Sequence, residues 1–153
     1  AGFSMQMQQF QEERIFLAAS ALVILDDCIE QTISFCKDRS AFGKRIIDNQ
    51  AIQFRLAELQ IEIEALRSLI YRACEDFVDG KDMTYLASMA KFKCGKLIRE
   101  VSDTCLQYWG GMGFTWENPL SKVYRDGRLM SIGGGTDEIM LSIICKHLGM
   151  PKK

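Results

Sequence analysis

With one histidine in 153 residues, this chain has no histidine cluster with which to hold a transition metal. His147 falls near the end of the last helical segment, where it complements the helix dipole better than it serves a Ser-His or Cys-His nucleophile. Acid-base chemistry is therefore left to carboxylates. A formal net charge of -1 supplies no basic footprint for nucleic acid. The longest apolar run, Ile15 to Leu25, is interrupted by Ser20 and is too short to span a bilayer. No cleavable targeting segment stands at the start, and the abrupt beginning is expected of a piece of a longer protein. None of the six cysteines pairs in a C-x-x-C spacing; they fall mostly at apolar helical positions and read as reduced core thiols of an intracellular protein. With two prolines and no internal repeat or strand pattern, little interrupts helix formation.

What is present is helical periodicity. Hydrophobic residues make up 48% of the chain and charged residues 25%, the balance of a globular domain. Residues 1–10, rich in glutamine and methionine, have no clear period and are expected to be a strand or linker leading in from an upstream domain. A first helix is predicted from about Gln11 to Lys37, apolar on nearly every face and so expected at the centre of a bundle. The second, about Gln50 to Asp79, carries Ile52, Leu56, Leu59, Ile63, Leu66, Ile70, Ala73 and Phe77 in alternating steps of four and three, and stops at Gly80. The third, about Asp82 to Trp109, sets Leu86, Ala90, Cys94, Leu97, Val101 and Cys105 on one face. Its basic residues Lys91, Lys93, Lys96 and Arg99 read as a solvated or subunit-facing surface. Asn118-Pro119 caps a short fourth helix ending near Asp126-Gly127, and Leu129 to Ile132 reads as extended. A fifth helix is capped by Thr136 and runs from Asp137 towards Leu148. Long helices joined by short connections predict an all-α fold, a four-helix up-down bundle with one additional short helix, over residues 11–150, with 151–153 as a tail.

Three loops carry the candidate chemistry. Gly133-Gly134-Gly135-Thr136 feeds a helix N-terminus, which suits an anion, although a capped glycine turn also begins many helices that bind nothing. Arg39 and Phe42 share a basic loop that is either a solvated connection or a site for a phosphate and a flat ring. Gly110-Gly111-Met112-Gly113 lies among Gln107, Trp109, Phe114 and Trp116, which fits either a backbone approach to a planar or phosphorylated ligand or a helix stop between packed rings. Glu12 and Glu13, in a first helical turn, suit the dipole there without further function.

In combination these segments resemble a known family. Glu13-Arg14, Arg39-x-x-Phe42-Gly43-Lys44, Gln50, Gln107-x-x-Gly110-Gly111-x-Gly113-Phe114, Arg125-Asp126 and Gly134-Gly135-Thr136-x-Glu138-Ile139 are similar, in order and spacing, to the C-terminal helical domain of acyl-CoA dehydrogenases from about Gln11 to Leu148. The resemblance implies a flavoenzyme that oxidises an acyl-CoA thioester to the trans-2-enoyl-CoA and is reoxidised by an electron-transferring flavoprotein. A carboxylate takes the α-proton and FAD accepts hydride from the β-carbon, a division of labour that needs no histidine.

Most of the family carries the catalytic glutamate just before the Gly-Thr pair of the last loop, a position that is Gly134 here. In the long-chain and isovaleryl branches the base lies instead on the first helix, immediately before its arginine. That place is Glu13, with Arg14, Gly134 and Gly135 expected along the substrate channel. Glu12 is the competitor, but adjacent helical residues point about 100° apart, so one of the two faces the substrate. The same correspondence gives Arg39, Phe42, Gln50, Gln107, Gly110 and Gly111 to the pyrophosphate and adenine half of FAD, and Thr136 and Glu138 to its flavin-side phosphate and ribitol. Part of each FAD contact comes from a second subunit in this family, so a homotetramer is expected, with no metal and no membrane span. The resemblance lies nearest the long-chain branch and implies a mitochondrial matrix protein in a eukaryote or a cytoplasmic one in a bacterium. The isolated segment, without the domains that complete the pocket, is expected to be inactive. Two other readings remain: a non-catalytic helical interaction module of the same fold, and an acyl-CoA oxidase reoxidised by oxygen.

Overall fold

A computed structural model describes the backbone of residues 2–150 and the side chains of residues 9–150. The elements run α1 (Gly2–Asp38), β1 (Ser40–Ala41), β2 (Lys44–Arg45), α2 (Gln50–Val78), α3 (Thr84–Trp109), α4 (Pro119–Asp126) and α5 (Asp137–His147), with 3-10 turns at Ile46–Asp48, Gly110–Phe114 and Gly127–Ser131. The fold is the all-α architecture expected. None of the described helices is long and apolar enough to cross a membrane.

The helix ends follow side-chain chemistry. Asn118 accepts from the Leu120 N–H and Thr136 from that of Ile139, the two caps expected; Asn49, not marked as a cap in the sequence, accepts from the Ala51 N–H and starts α2 in the same way. Gly80 takes positive φ (70°) just beyond α2 and stops it. α3 begins two residues later than expected, because Asp82 Oδ1 accepts from both the N–H (2.9 Å) and the hydroxyl (2.6 Å) of Thr84 and holds its own backbone outside the helix. Those bonds favour the ionised carboxylate and lower its pKa.

α3, not α1, is the central element: it packs against α1, α2, α4, α5 and the 127–131 turn. On α1 only one face is covered. Ala18, Ala21 and Leu25 are fully buried, whereas Phe16 and Val23, seven residues apart on the outer side, are each 72% exposed. The core joins that inner face to Leu59, Ile63 and Leu66 of α2 and Ala90, Cys94, Ile98 and Val101 of α3. On α2 the expected seam is buried from Leu56 to Ala73, but Phe77, in the last turn, is exposed.

Four further expectations are corrected. The lead-in segment is helical from Gly2 onward and continuous with α1. Leu129 to Ser131, read as extended, lies in a 3-10 turn. Residues 40–45 form a two-residue antiparallel hairpin, pairing Ser40 with Arg45 and Ala41 with Lys44. Lys91, assigned to a solvated surface, is almost entirely buried, at 1% exposed.

Candidate functional site

The glycine loop is built against two helices distant from it in sequence. Arg14, in α1 and 5% exposed, donates from Nε to the carbonyl of Gly134 at 3.2 Å. Lys91, in the first half of α3, donates from Nζ to the carbonyl of the next residue, Gly135. Arg99 ties the start of α5 to α3, bonding Asp137 Oδ2 at 3.0 Å and the Gly95 carbonyl at 3.2 Å. Gly135 is favoured by its backbone conformation, φ 108°, which side chains rarely adopt; a Cβ there would also displace the flexible end of Met140, 2.8 Å away.

The electrostatics behind the loop are those of cations removed from water. Burial lowers the Lys91 pKa against the opposing pull of Asp137, and burial lowers that of Arg14 against Glu13. Arg14 Nη1 and Asp137 Oδ1 are buried without a hydrogen-bond partner among the described residues. Thr136 caps α5, and the exposed Glu138 carboxylate is held below its usual pKa by its own N–H and the Thr136 hydroxyl. Glu13 is exposed one residue before Arg14 and accepts from Gln9 Nε2 at 3.3 Å. Glu12 is exposed as well.

A second group lies at the other end of the bundle. Phe35 of α1 stacks on Trp109 of α3 with centroids 4.1 Å apart, and Trp109 Nε1 donates to Thr32 at 3.1 Å. These contacts draw the end of α1, with Arg39 and the hairpin after it, to the end of α3, where Gln107, Gly110 and Gly111 lie. Gln50 opens α2 just beyond the hairpin. Arg39, Phe42, Gln50, Gln107, Gly110 and Gly111 are all exposed. Phe42 holds φ 54°, unusual for a bulky side chain, and its ring stands fully in solvent at the hairpin tip. An aromatic kept in a strained turn without cover is a feature of ligand and partner sites.

The sequence-derived residues thus divide in two. Glu13, Arg14, Gly134, Gly135, Thr136 and Glu138 form one group; Arg39, Phe42, Gln50, Gln107, Gly110 and Gly111 form the other. From Lys91 to Gln107 the axis of α3 rises about 24 Å at 1.5 Å per residue. Lys91 belongs to the first group and was missed, because the apolar stripe was drawn too narrowly. It sits four residues after buried Ala87 and seven before buried Ile98, so a stripe widened by one position includes it.

These features define an all-helical domain whose glycine loop, at a helix N-terminus, is anchored from behind by buried cations. The chain belongs to the family described as the acyl-CoA dehydrogenase, C-terminal domain, whose sequence profile matches residues 1–149. It is 34% identical over 147 residues to the mitochondrial short/branched chain specific acyl-CoA dehydrogenase of Rattus norvegicus, covering 96% of this chain and 34% of the relative. It is 36% identical over 148 residues to the mitochondrial long-chain specific acyl-CoA dehydrogenase of Mus musculus, again covering 96% and 34%. The crystal structure of an acyl-CoA dehydrogenase from Geobacillus kaustophilus superposes with a TM-score of 0.93 at 34% identity, over 97% of this chain and 39% of that one. The chain therefore spans about a third of the length of the curated relatives it matches. Long-chain and short/branched-chain relatives match at nearly equal identity, so identity does not choose between acyl classes.

Proposed function

We propose that this chain is the C-terminal domain of an FAD-dependent acyl-CoA dehydrogenase in which Glu13 removes the α-proton of an acyl-CoA thioester. The observation that carries the reading is the bond from Arg14 to the Gly134 carbonyl, which sets the helix bearing Glu13 against the loop where most of the family keeps its glutamate. Gly134 supplies no acid or base, so the adjoining carboxylate takes that role.

The residues present fit a flavin nucleotide. The loop and the α5 N-terminus offer N–H groups and a positive dipole end to an anionic oxygen. The hairpin offers an arginine and an uncovered aromatic to a phosphate and a flat ring. When bound, FAD supplies the acceptor for the β-hydride. The chain's own part is to hold the thioester beside the loop and to receive the α-proton on Glu13. Glu13 is solvated in this chain, and a carboxylate base gains strength when water is excluded. The domains preceding this one in the family provide that cover, so the segment alone is inactive under this reading.

The separation of about 24 Å between the two groups supports an assembly in which the Arg39 and Phe42 end serves the adenine half of a neighbouring subunit's FAD. The resemblance to the family supports a homotetramer reoxidised by an electron-transferring flavoprotein. The location is the mitochondrial matrix in a eukaryote or the cytoplasm in a bacterium. The test is anaerobic titration of the intact flavoprotein with a panel of acyl-CoAs. Bleaching of the flavin by at least one supports the proposal, and no bleaching by any overturns it. Hydrogen peroxide formed in air would instead assign an oxidase.

A further inference from the structure

Among the fully buried side chains, Lys91 is the largest. Among the described residues its single hydrogen-bond acceptor is the carbonyl of Gly135. Asp137, the nearby carboxylate, is instead paired with Arg99. Burying an ammonium ion is costly, and a methionine would fill the same space without that penalty. The charge calls for a function that packing does not supply.

Peptide geometry indicates one. No peptide bond among the described residues is cis. In a planar trans peptide the C=O and the following N–H point in opposite directions. Arg14 draws the Gly134 carbonyl inward, which turns the Gly135 N–H outward; Lys91 draws the Gly135 carbonyl inward, which turns the Thr136 N–H outward. The loop makes this turn with positive φ at both glycines, 69° at Gly134 and 108° at Gly135. Such a pair of N–H groups is an anion-binding nest. Neither N–H has an acceptor among the described residues.

We propose that Lys91 is a positioning residue: by holding the Gly135 carbonyl beneath the loop, it presents the Gly135 and Thr136 N–H groups to an anionic or developing negative oxygen of the bound flavin nucleotide or acyl thioester. This rests on the reading of the loop as a ligand cradle. Lys91 touches no ligand itself. Its N–H donor lies behind the groups it aims.

The test uses the intact flavoprotein as wild type, Lys91→Met and Lys91→Gln. Methionine keeps the volume and removes the donor, while glutamine keeps a neutral N–H donor. Two quantities are read: hydrogen exchange of peptides spanning residues 130–140 with and without FAD and a flavin-bleaching acyl-CoA, and the anaerobic rate of flavin reduction. The expected result is ligand-induced protection in the wild type, its loss in Lys91→Met with reduction slowed about 10²-fold, and recovery of both in Lys91→Gln. Wild-type protection and rate in Lys91→Met would overturn the role of Lys91 and leave the cradle standing. Equal loss in a folded Lys91→Gln would overturn it too, since the donor would not be the agent. An absence of protection in the wild type would remove the cradle itself and with it any positioning by Lys91.

Discussion

Arg14 Nε and the Gly134 carbonyl oxygen meet at 3.2 Å across 120 residues of sequence. The bond joins the helix carrying a candidate base to the loop that lacks one, and it satisfies a carbonyl that helix α5 cannot reach. The bond comes from a charged donor that is itself buried, and such hydrogen bonds contribute about 1.5–3 kcal/mol. Arg14→Met is therefore expected to lower unfolding stability by about that amount, measured by urea denaturation at neutral pH. No change in midpoint would mean that the contact contributes nothing to the native state.

Glu13 and Glu12 separate in a paired substitution. In the intact flavoprotein Glu13→Gln should slow flavin reduction by about 10²–10⁴, the range for removing a general base, with FAD content unchanged. Glu12→Gln should leave the rate within a few-fold of wild type. Rapid-reaction absorbance of the flavin reads both. Wild-type reduction by Glu13→Gln would move the base elsewhere.

Two glycines, one within the central helix and one just beyond its end, should respond differently to alanine. A Cβ on Gly95 would lie 2.7 Å from Ser131 Oγ and 2.9 Å from the Met130 carbonyl, so Gly95→Ala pushes the 127–131 turn off α3. The expected cost is about 1–3 kcal/mol by overpacking, against a helix-propensity gain of about 1 kcal/mol. Gly111 has nothing within 4 Å of such an atom. Gly111→Ala should leave the melting temperature near wild type, so any loss of FAD affinity there reports contact with the ligand. Thermal melts and flavin titrations distinguish the two positions.

The thiols give a pH prediction. Burial pushes Cys28 and Cys94 up to about 12 and Cys105 up to about 11, against 9.0 for an exposed thiol. The native state thus keeps protons that the unfolded chain releases. Their contribution to stability is complete below about pH 9 and is lost as pH rises towards 11–12, by up to about 1.4 kcal/mol per pH unit for each thiol. Burial also raises Cys36 and Tyr108, which adds to this trend, while Lys91, shifted downward, opposes it. Urea melts between about pH 8 and 10 should show falling stability. A thiol reagent at neutral pH should modify exposed Cys74 quickly and half-buried Cys145 slowly, and reach Cys28, Cys36, Cys94 and Cys105 only after unfolding.

Most of the fold was legible from local chemistry. Asn118 and Thr136 act within one turn of their own helices, so composition at those positions sufficed to mark the starts. The interval from Leu56 to Ala73 exposed the α2 seam in the same way. The hairpin at 40–45 was not legible, since two residues per strand give no alternation to read and the turn is made by Phe42 at positive φ, where residue type argues against it. The position of α1 was misjudged because its apolar residues surround the helix. Periodicity cannot say which of two apolar faces will be covered; contact with α3 decides it.

The sequence by itself determined the helices, their caps, the glycine loop and the motifs that mark the family, because each depends on residues near one another in the chain. It also supplied Glu13 and an empty Gly134 as separate facts. Only the tertiary structure brought Arg14 and Lys91 beneath consecutive carbonyls of that loop and divided the candidate residues between two ends of α3. A buried cation on an amphipathic helix looks like a solvated one until the partner that covers it is in place, and that partner lies 44 residues further along the chain.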